Sequence, residues 1–107
     1  MADLAATVHV DPAVARYTAQ LVEATRESGS VRLGVSVRGA ISMMRIARVR
    51  AAAHGRHFVV PDDVKALAPA VWAHRLVMDP EAEFSGTTPD AVVQRALADV
   101  EAPLARA

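Results

Sequence analysis

The sequence predicts a mainly α fold: a small bundle of about four helices with a short two-stranded β ribbon. Three observations carry this. Hydrophobic residues make up 52% of the 107 positions but aromatics only 4%, and alanine supplies much of the apolar share. Alanine is the best helix former and lets helices approach closely. Apolar residues recur at three- and four-residue spacing in several segments. Each of those segments opens on a helix-start signal: Asp11-Pro12, Ser36, Pro61-Asp62-Asp63 and Thr88-Pro89. No repeat, low-complexity tract or linker interrupts them. One domain is therefore expected, with residues 1–10 as a lead-in holding a short strand and 11–103 as the helical bundle. A chain of this length buries roughly two-thirds of its unfolded surface, so its core is small.

The first helix is predicted from Pro12 to about Ser28. Asp11 suits the N-cap and Pro12 the first helical position. Val14, Tyr17, Leu21 and Ala24 share one face, and Arg16, Gln20, Glu23 and Glu27 the opposite one. Gly29 is the expected terminator, through the left-handed conformation. The second helix is predicted from Ser36 to near Gly55. Its apolar side reads Ala40, Ile41, Met44, Ala47 and Ala51, with Arg38, Ser42, Arg45 and Arg48 on the other side and Arg50 off that stripe. Two short runs of β-formers, Thr7-Val8-Val10 and Phe58-Val59-Val60, are expected to pair as the ribbon.

The third helix opens at Pro61, with Asp62 and Asp63 facing the positive end of its dipole. Val64, Leu67, Ala68, Val71 and Trp72 form its stripe. Pro69 lies inside and either kinks the helix or breaks it at Ala68. "MDPEAEFSGTTPD" reads as a connecting loop. Thr88 caps the last helix, with Val92, Val93, Ala96, Leu97 and Val100 as its apolar stripe and Pro103 as the stop. Met43, Met44 and Trp72 are expected in the core.

Composition excludes several function classes. With no cysteine there is no disulfide framework and no thiolate zinc site. Twelve basic and 12 acidic residues balance, so overall charge favours neither nucleic acid nor an anionic membrane. No run of about 18 apolar residues suggests a membrane span, and "MADLAATVHV" lacks the basic start and apolar run of a secretory signal. A cytoplasmic location is the expectation. The early arrival at "TVHVDP" reads as a domain excised from a longer chain, with an initiating Met added.

Catalytic motifs are also missing. No glycine-rich phosphate loop appears. Gly34-Val35-Ser36-Val37 starts like a nucleophile elbow, but Arg38 stands where the second glycine is required. His54 and His57 have metal-ligand spacing, yet Gly55 falls between them and no Asp, Glu or Cys is near in sequence. Two exposed imidazoles on a loop are the plainer reading, and no metal is expected. His9 and His74 stand apart.

The arginines of the second helix leave three readings. They form a solvated face. Alternatively Arg38, Arg45 and Arg48 track a nucleic-acid backbone or a protein in a stand-alone binding module; the balanced charge and scarce aromatics make nucleic acid a poor partner. In the third reading Arg38 acts alone. It follows a glycine-containing loop in the first turn of a helix, where a guanidinium suits an anionic phosphate.

The order of segments also resembles a known family. "YTAQLVEATR" (17–26), "LGVSVRGAISMMRIARVRAAAHGRHFVVPDDVKALAPAVWAHRL" (33–76) and "PDAVVQRALADVEAP" (89–103) look like the C-terminal lid domain of MoxR-type AAA+ ATPases. The most specific signals are "ATR", the G-x-S-x-R loop and "GR-x-x-V-x-P-x-DV…HRL" taken together. The resemblance covers nearly the whole chain, so 1–107 is expected to be such a lid.

It implies an α/β nucleotide-binding core in the same polypeptide and ATP with Mg²⁺ in the full-length protein. It also implies a ring of subunits, usually six, and chaperone-like maturation of partner complexes, von Willebrand factor A domain proteins among them. It assigns Arg38 as the sensor-two arginine reaching the ATP γ-phosphate, with Gly34 and Ser36 as the loop and helix cap that position it. The family motif is usually G-A-S-P-R-A. Here Val35, Val37 and Gly39 replace its Ala, Pro and final Ala. Val37 does not pre-set the turn as Pro would, and Gly39 is expected to loosen it by up to about 1 kcal/mol. The fragment alone is not expected to be an enzyme. The role of Arg75 in "HRL" stays open between an ion pair and an inter-subunit contact.

Overall fold

The computed structural model describes residues 7–104, which form a mostly helical domain with a two-stranded ribbon. Helix α1 spans Pro12–Glu27, strand β1 Val31–Leu33, helix α2 Val37–Ala53 and helix α3 Pro61–Trp72. A 3-10 turn at Ala73–Arg75 leads into strand β2 at Val77–Met78. Helices α4, Pro80–Phe84, and α5, Pro89–Asp99, complete the chain. Residues 1–6 of the expected lead-in lie outside the described residues.

The helix starts follow local chemistry. Asp11, Ser36, Asp79 and Thr88 each accept a hydrogen bond from a backbone N–H of the turn they open. These bonds satisfy donors that a helix leaves unpaired at its first turn. Pro12, Pro61, Pro80 and Pro89 all sit at helix starts, where a missing N–H costs nothing.

The ends are less local. Helix α1 leaves through Ser28 in an extended conformation, and Gly29 has no positive φ. The glycine terminator expected there is not used, because the chain turns straight into β1. Gly55, after α2, does take the left-handed conformation, with φ of 73°.

The ribbon pairs different segments from those expected. Strands β1 and β2 run antiparallel, Val31 opposite Met78 and Leu33 opposite Val77. The two β-forming runs do meet, but only as an isolated parallel bridge between His9 and Phe58. Its bonds are His9 N–H to the His57 carbonyl at 2.8 Å and Val59 N–H to the His9 carbonyl at 2.9 Å. Strands of three and two residues are too short to display a period, which is why "VRL" and "VM" read as connections.

Two further expectations change. Helix α3 continues through Pro69 to Trp72 rather than breaking at Ala68. The stretch 78–90 is not all loop: Asp79 caps the five-residue α4. No residue of α4 is buried, so no apolar stripe marked it in the sequence.

The core gathers Tyr17 and Leu21 from α1, Met43 from α2, Val64 and Trp72 from α3 and Val93 from α5, each under 2% exposed. Val35, from the loop before α2, is fully enclosed among them. Met44 and Leu97 pack at the margin. The buried face of α2 runs Gly39, Met43, Ala47, Ala51. Ile41, expected inside, is 53% exposed. Methionine and alanine at 43, 47 and 51 outline the true face, one residue out of phase with the reading through Ile41.

One charged group is fully buried. The Asp63 carboxylate accepts two parallel bonds from the Arg56 guanidinium, both 2.7 Å, and one from the Val60 N–H at 2.8 Å. Arg50 of α2 also donates to it, and Arg56 donates to the Phe58 carbonyl at 3.2 Å. A carboxylate can live in the interior when paired and hydrogen-bonded in this way. This single group ties α2, the 56–60 connection and α3 together. It also gives the Gly55-Arg56 … Pro61-x-Asp63 pattern a physical reason.

Burial pushes the Asp63 carboxyl upward, but the bonds from Arg56, Val60 and Arg50 outweigh it and hold the group below the usual carboxylate range. Asp63→Ala strands two guanidinium groups and is expected to cost about 3–5 kcal/mol in urea unfolding at pH 7. The folded-state pKa is depressed, so this contribution is complete above the unfolded value of about 3.9. It is lost only as pH falls through the lower folded value. Unfolding curves of wild type and variant are therefore expected to stay apart through mild acid and to converge only in strong acid.

Candidate functional site

The three-residue connection 34–36 and the first turn of α2 carry the residues singled out from the sequence. Ser36 caps α2, its Oγ accepting from the Gly39 N–H at 3.2 Å. Arg38 projects from the first turn into solvent and makes no hydrogen bond or ion pair with any described residue. It is a free guanidinium beside a helix N-terminus.

The backbone beneath Arg38 is held from α1. The Val35 N–H donates to Thr25 Oγ1 at 3.1 Å, and the Val35 carbonyl accepts from Arg26 Nε at 3.0 Å. The Thr25 hydroxyl donates in turn to the Val22 carbonyl at 2.7 Å. Both backbone polar groups of the fully enclosed Val35 are thereby satisfied. Gly34 permits the approach: a Cβ there would stand 2.7 Å from both the Cα and the N of Arg26. The obstruction is backbone, so it cannot simply rotate away. "ATR" and the G-x-S-x-R loop, separate in the sequence, are two halves of one contact.

Gly39 also differs from its expected role. It is buried, and its carbonyl accepts from Trp72 Nε1 at 3.1 Å. A Cβ at Gly39 would meet Val35 Cγ1 at 2.8 Å, Arg75 Cδ at 3.5 Å and Trp72 Nε1 at 3.8 Å. Glycine here makes room for the Val35 side chain, while the indole of α3 would lie at ordinary contact distance from a Cβ. The propensity lost is offset by the tryptophan bond, so the first turn is tied down rather than loosened. Arg75 places its stem over this glycine and donates from Nε to the Val71 carbonyl at 3.2 Å. Among the described residues it makes no ion pair.

The remaining candidates divide. Arg45 is exposed; Arg48 is half-buried, with its Nε enclosed and unpartnered. Arg50 belongs to the Asp63 network. Val37 (67%), Ile41 (53%), Ile46 (40%) and Val49 (45%) are exposed among the arginines, so the outer face of α2 is not a uniform basic stripe. His54 is the C-cap residue of α2, and its ring Nδ1 lies 2.8 Å from the Arg50 carbonyl. Among the described residues no group of three or more His, Asp or Glu could hold a metal ion. None of their helices is long and apolar enough to cross a membrane.

The family model of the AAA lid domain matches residues 23–96. The chain belongs to that family. It is 39% identical over 99 residues to the uncharacterized protein YeaC of Bacillus subtilis, covering 92% of this chain and 31% of that one. It is 32% identical over 110 residues to chaperone MoxR1 of Mycobacterium tuberculosis, covering 94% and 29%. A crystal structure from Cytophaga hutchinsonii assigned as an ATPase superposes with a TM-score of 0.89 at 27% identity, covering 95% of this chain and 34% of that one. The chain thus spans about a third of the length of the relatives it matches. The lid resemblance and the mainly α fold with its ribbon are both borne out.

Gly34→Ala is expected to push α1 and the loop apart and to cost about 1–3 kcal/mol in chemical denaturation. Gly29→Ala is the matched control: nothing lies within 4 Å of the added carbon and φ is not positive. It is expected to change stability by less than about 1 kcal/mol, in the stabilising direction.

Proposed function

We propose that residues 1–107 are the C-terminal lid of a longer MoxR-type AAA+ ATPase, with 11–103 as its helical bundle. In this reading the lid closes over ATP held by a core domain in the same polypeptide. The observation that carries it is Arg38: an exposed guanidinium without an internal partner, on a helix start held firmly from behind, in a domain of the AAA lid family.

Arg38 fits a terminal phosphate. Its guanidinium is charged at every physiological pH and offers two parallel donors. Arg38 would hold the γ-phosphate and neutralise part of its charge, with Gly34 and Ser36 setting the loop and cap from which it extends. Bound ATP supplies the phosphoryl group and Mg²⁺, whose ligands belong to the core domain. Gain or loss of the Arg38 contact would then bias the lid between two orientations. Arg45, Arg48 and the apolar residues between them are left for contact with the core domain or a neighbouring ring subunit.

The protein in this proposal acts in the cytoplasm as a chaperone-like activator of partner complexes, von Willebrand factor A domain proteins among the candidates. The 107 residues alone carry no phosphate loop and are not expected to turn over ATP. Turnover by the pure fragment would count against the reading. A stand-alone module binding through Arg38, Arg45 and Arg48 is the competing proposal. Nucleic-acid binding that weakens steeply with salt would favour it.

Arg38→Ala in the full-length ATPase is the direct test. Removing one charge-assisted contact to phosphate is expected to lower kcat/KM about tenfold to a hundredfold, with the fold and unfolding midpoint unchanged. Turnover and nucleotide-dependent assembly both at wild-type level would overturn the assignment.

A further inference from the structure

We infer that Thr25 and Arg26, in the last turn of α1, are positioning residues for Arg38 and act through the peptide groups of Val35. The inference rests on the reading of Arg38 as the phosphate contact. Only residues 34–36 separate β1 from α2. Their course sets where α2 begins, and with it where the Arg38 side chain starts. Val37 leaves the first helical position without the fixed φ of proline, so the Ser36 cap is the helix's own restraint on its start.

Further restraint comes from outside the helix. Thr25 is fully buried and uses its hydroxyl twice, as donor to Val22 and as acceptor from Val35. Arg26 holds the next peptide unit through the Val35 carbonyl, and Gly34 lets the loop lie directly on the Arg26 backbone. A valine at 25 keeps the volume but leaves the enclosed Val35 N–H unpaired. The loop then gains from moving toward water. Arg38, three residues on, samples more directions, and its phosphate contact weakens through lost preorganisation. Neither residue touches the phosphate in this scheme.

The experiment uses the full-length ATPase and a non-hydrolysable ATP analogue, with affinity read by titration calorimetry. Thr25→Val and Arg26→Met are each expected to weaken binding about three- to tenfold, while Thr25→Ser stays near wild type. Because the effect passes through Arg38, Thr25→Val is expected to add nothing in an Arg38→Ala background. Amide exchange at residues 34–37 is expected to quicken in Thr25→Val but not in Arg38→Ala.

Wild-type affinity in both Thr25→Val and Arg26→Met, beside a weakened Arg38→Ala, would overturn the inference alone. A Thr25→Val loss that persists undiminished in the Arg38→Ala background would do the same. An Arg38→Ala variant with unchanged affinity would overturn both readings, and the fault would lie with Arg38. If Thr25→Val fails to fold, Arg26→Met decides, since that side chain is exposed and its stem is retained.

Discussion

The Asp63 carboxylate is the contact on which the rest of the domain depends. It is fully buried, and three groups from three parts of the chain converge on it: Arg50 from α2, Arg56 from the connection and the Val60 N–H at the start of α3. A carboxylate without partners could not stay there as an ion. With them it anchors the connection to α3 through the bidentate Arg56 bond and joins α2 to α3 through Arg50. Trp72, at the far end of α3, then reaches Gly39 at the near end of α2. The two helices are joined at both ends by polar bonds and between them by Met43, Ala47, Val64 and Ala68. Small residues along this seam let the backbones lie close, which a chain poor in aromatics needs if it is to fill its core.

That rigidity has a consequence at the opposite end of α2. The start of the helix is held by Ser36 within, by Trp72 from α3 and by Thr25 and Arg26 from α1. Four residues from three parts of the chain thus determine the position of one short turn. Arg38 is the polar side chain of that turn left without an internal partner among the described residues. A side chain on a fixed base loses less freedom when it meets a ligand, which is the usual benefit of preorganisation. The two departures from the family motif therefore have different meanings. Val37 leaves the turn dependent on outside contacts. Gly39 makes room for the Val35 side chain, since a Cβ there would press on its Cγ1.

The arginines of α2 show how little charge reveals by itself. Arg50 is structural, bound to the buried carboxylate. Arg48 is half-covered, and Arg38 and Arg45 are exposed. They share the outer face with Val37, Ile41, Ile46 and Val49. A mixed apolar and basic face of this kind suits a protein surface better than a phosphate backbone, which calls for an unbroken line of cations.

The sequence alone determined the four longer helices and their starts. Capping by Asp11, Ser36 and Thr88 and proline in first turns are local signals that held, and the three- and four-residue apolar spacing held except at Ile41. The resemblance to the AAA lid family held as well, because it rests on the order of short motifs. Tertiary structure decided the rest. Strands β1 and β2 are too short to show a period, and α4 buries nothing that would mark it. Gly29 looked like a terminator, but the chain left the helix extended to reach its strand partner. Ile41 looked buried because spacing gives a face only to within a residue. The guanidinium partners of Asp63 and the partners of the Val35 backbone lie 7 to 13 residues away along the chain. Bonds over that distance leave no periodic trace, because they depend on how helices cross and not on how any one of them repeats.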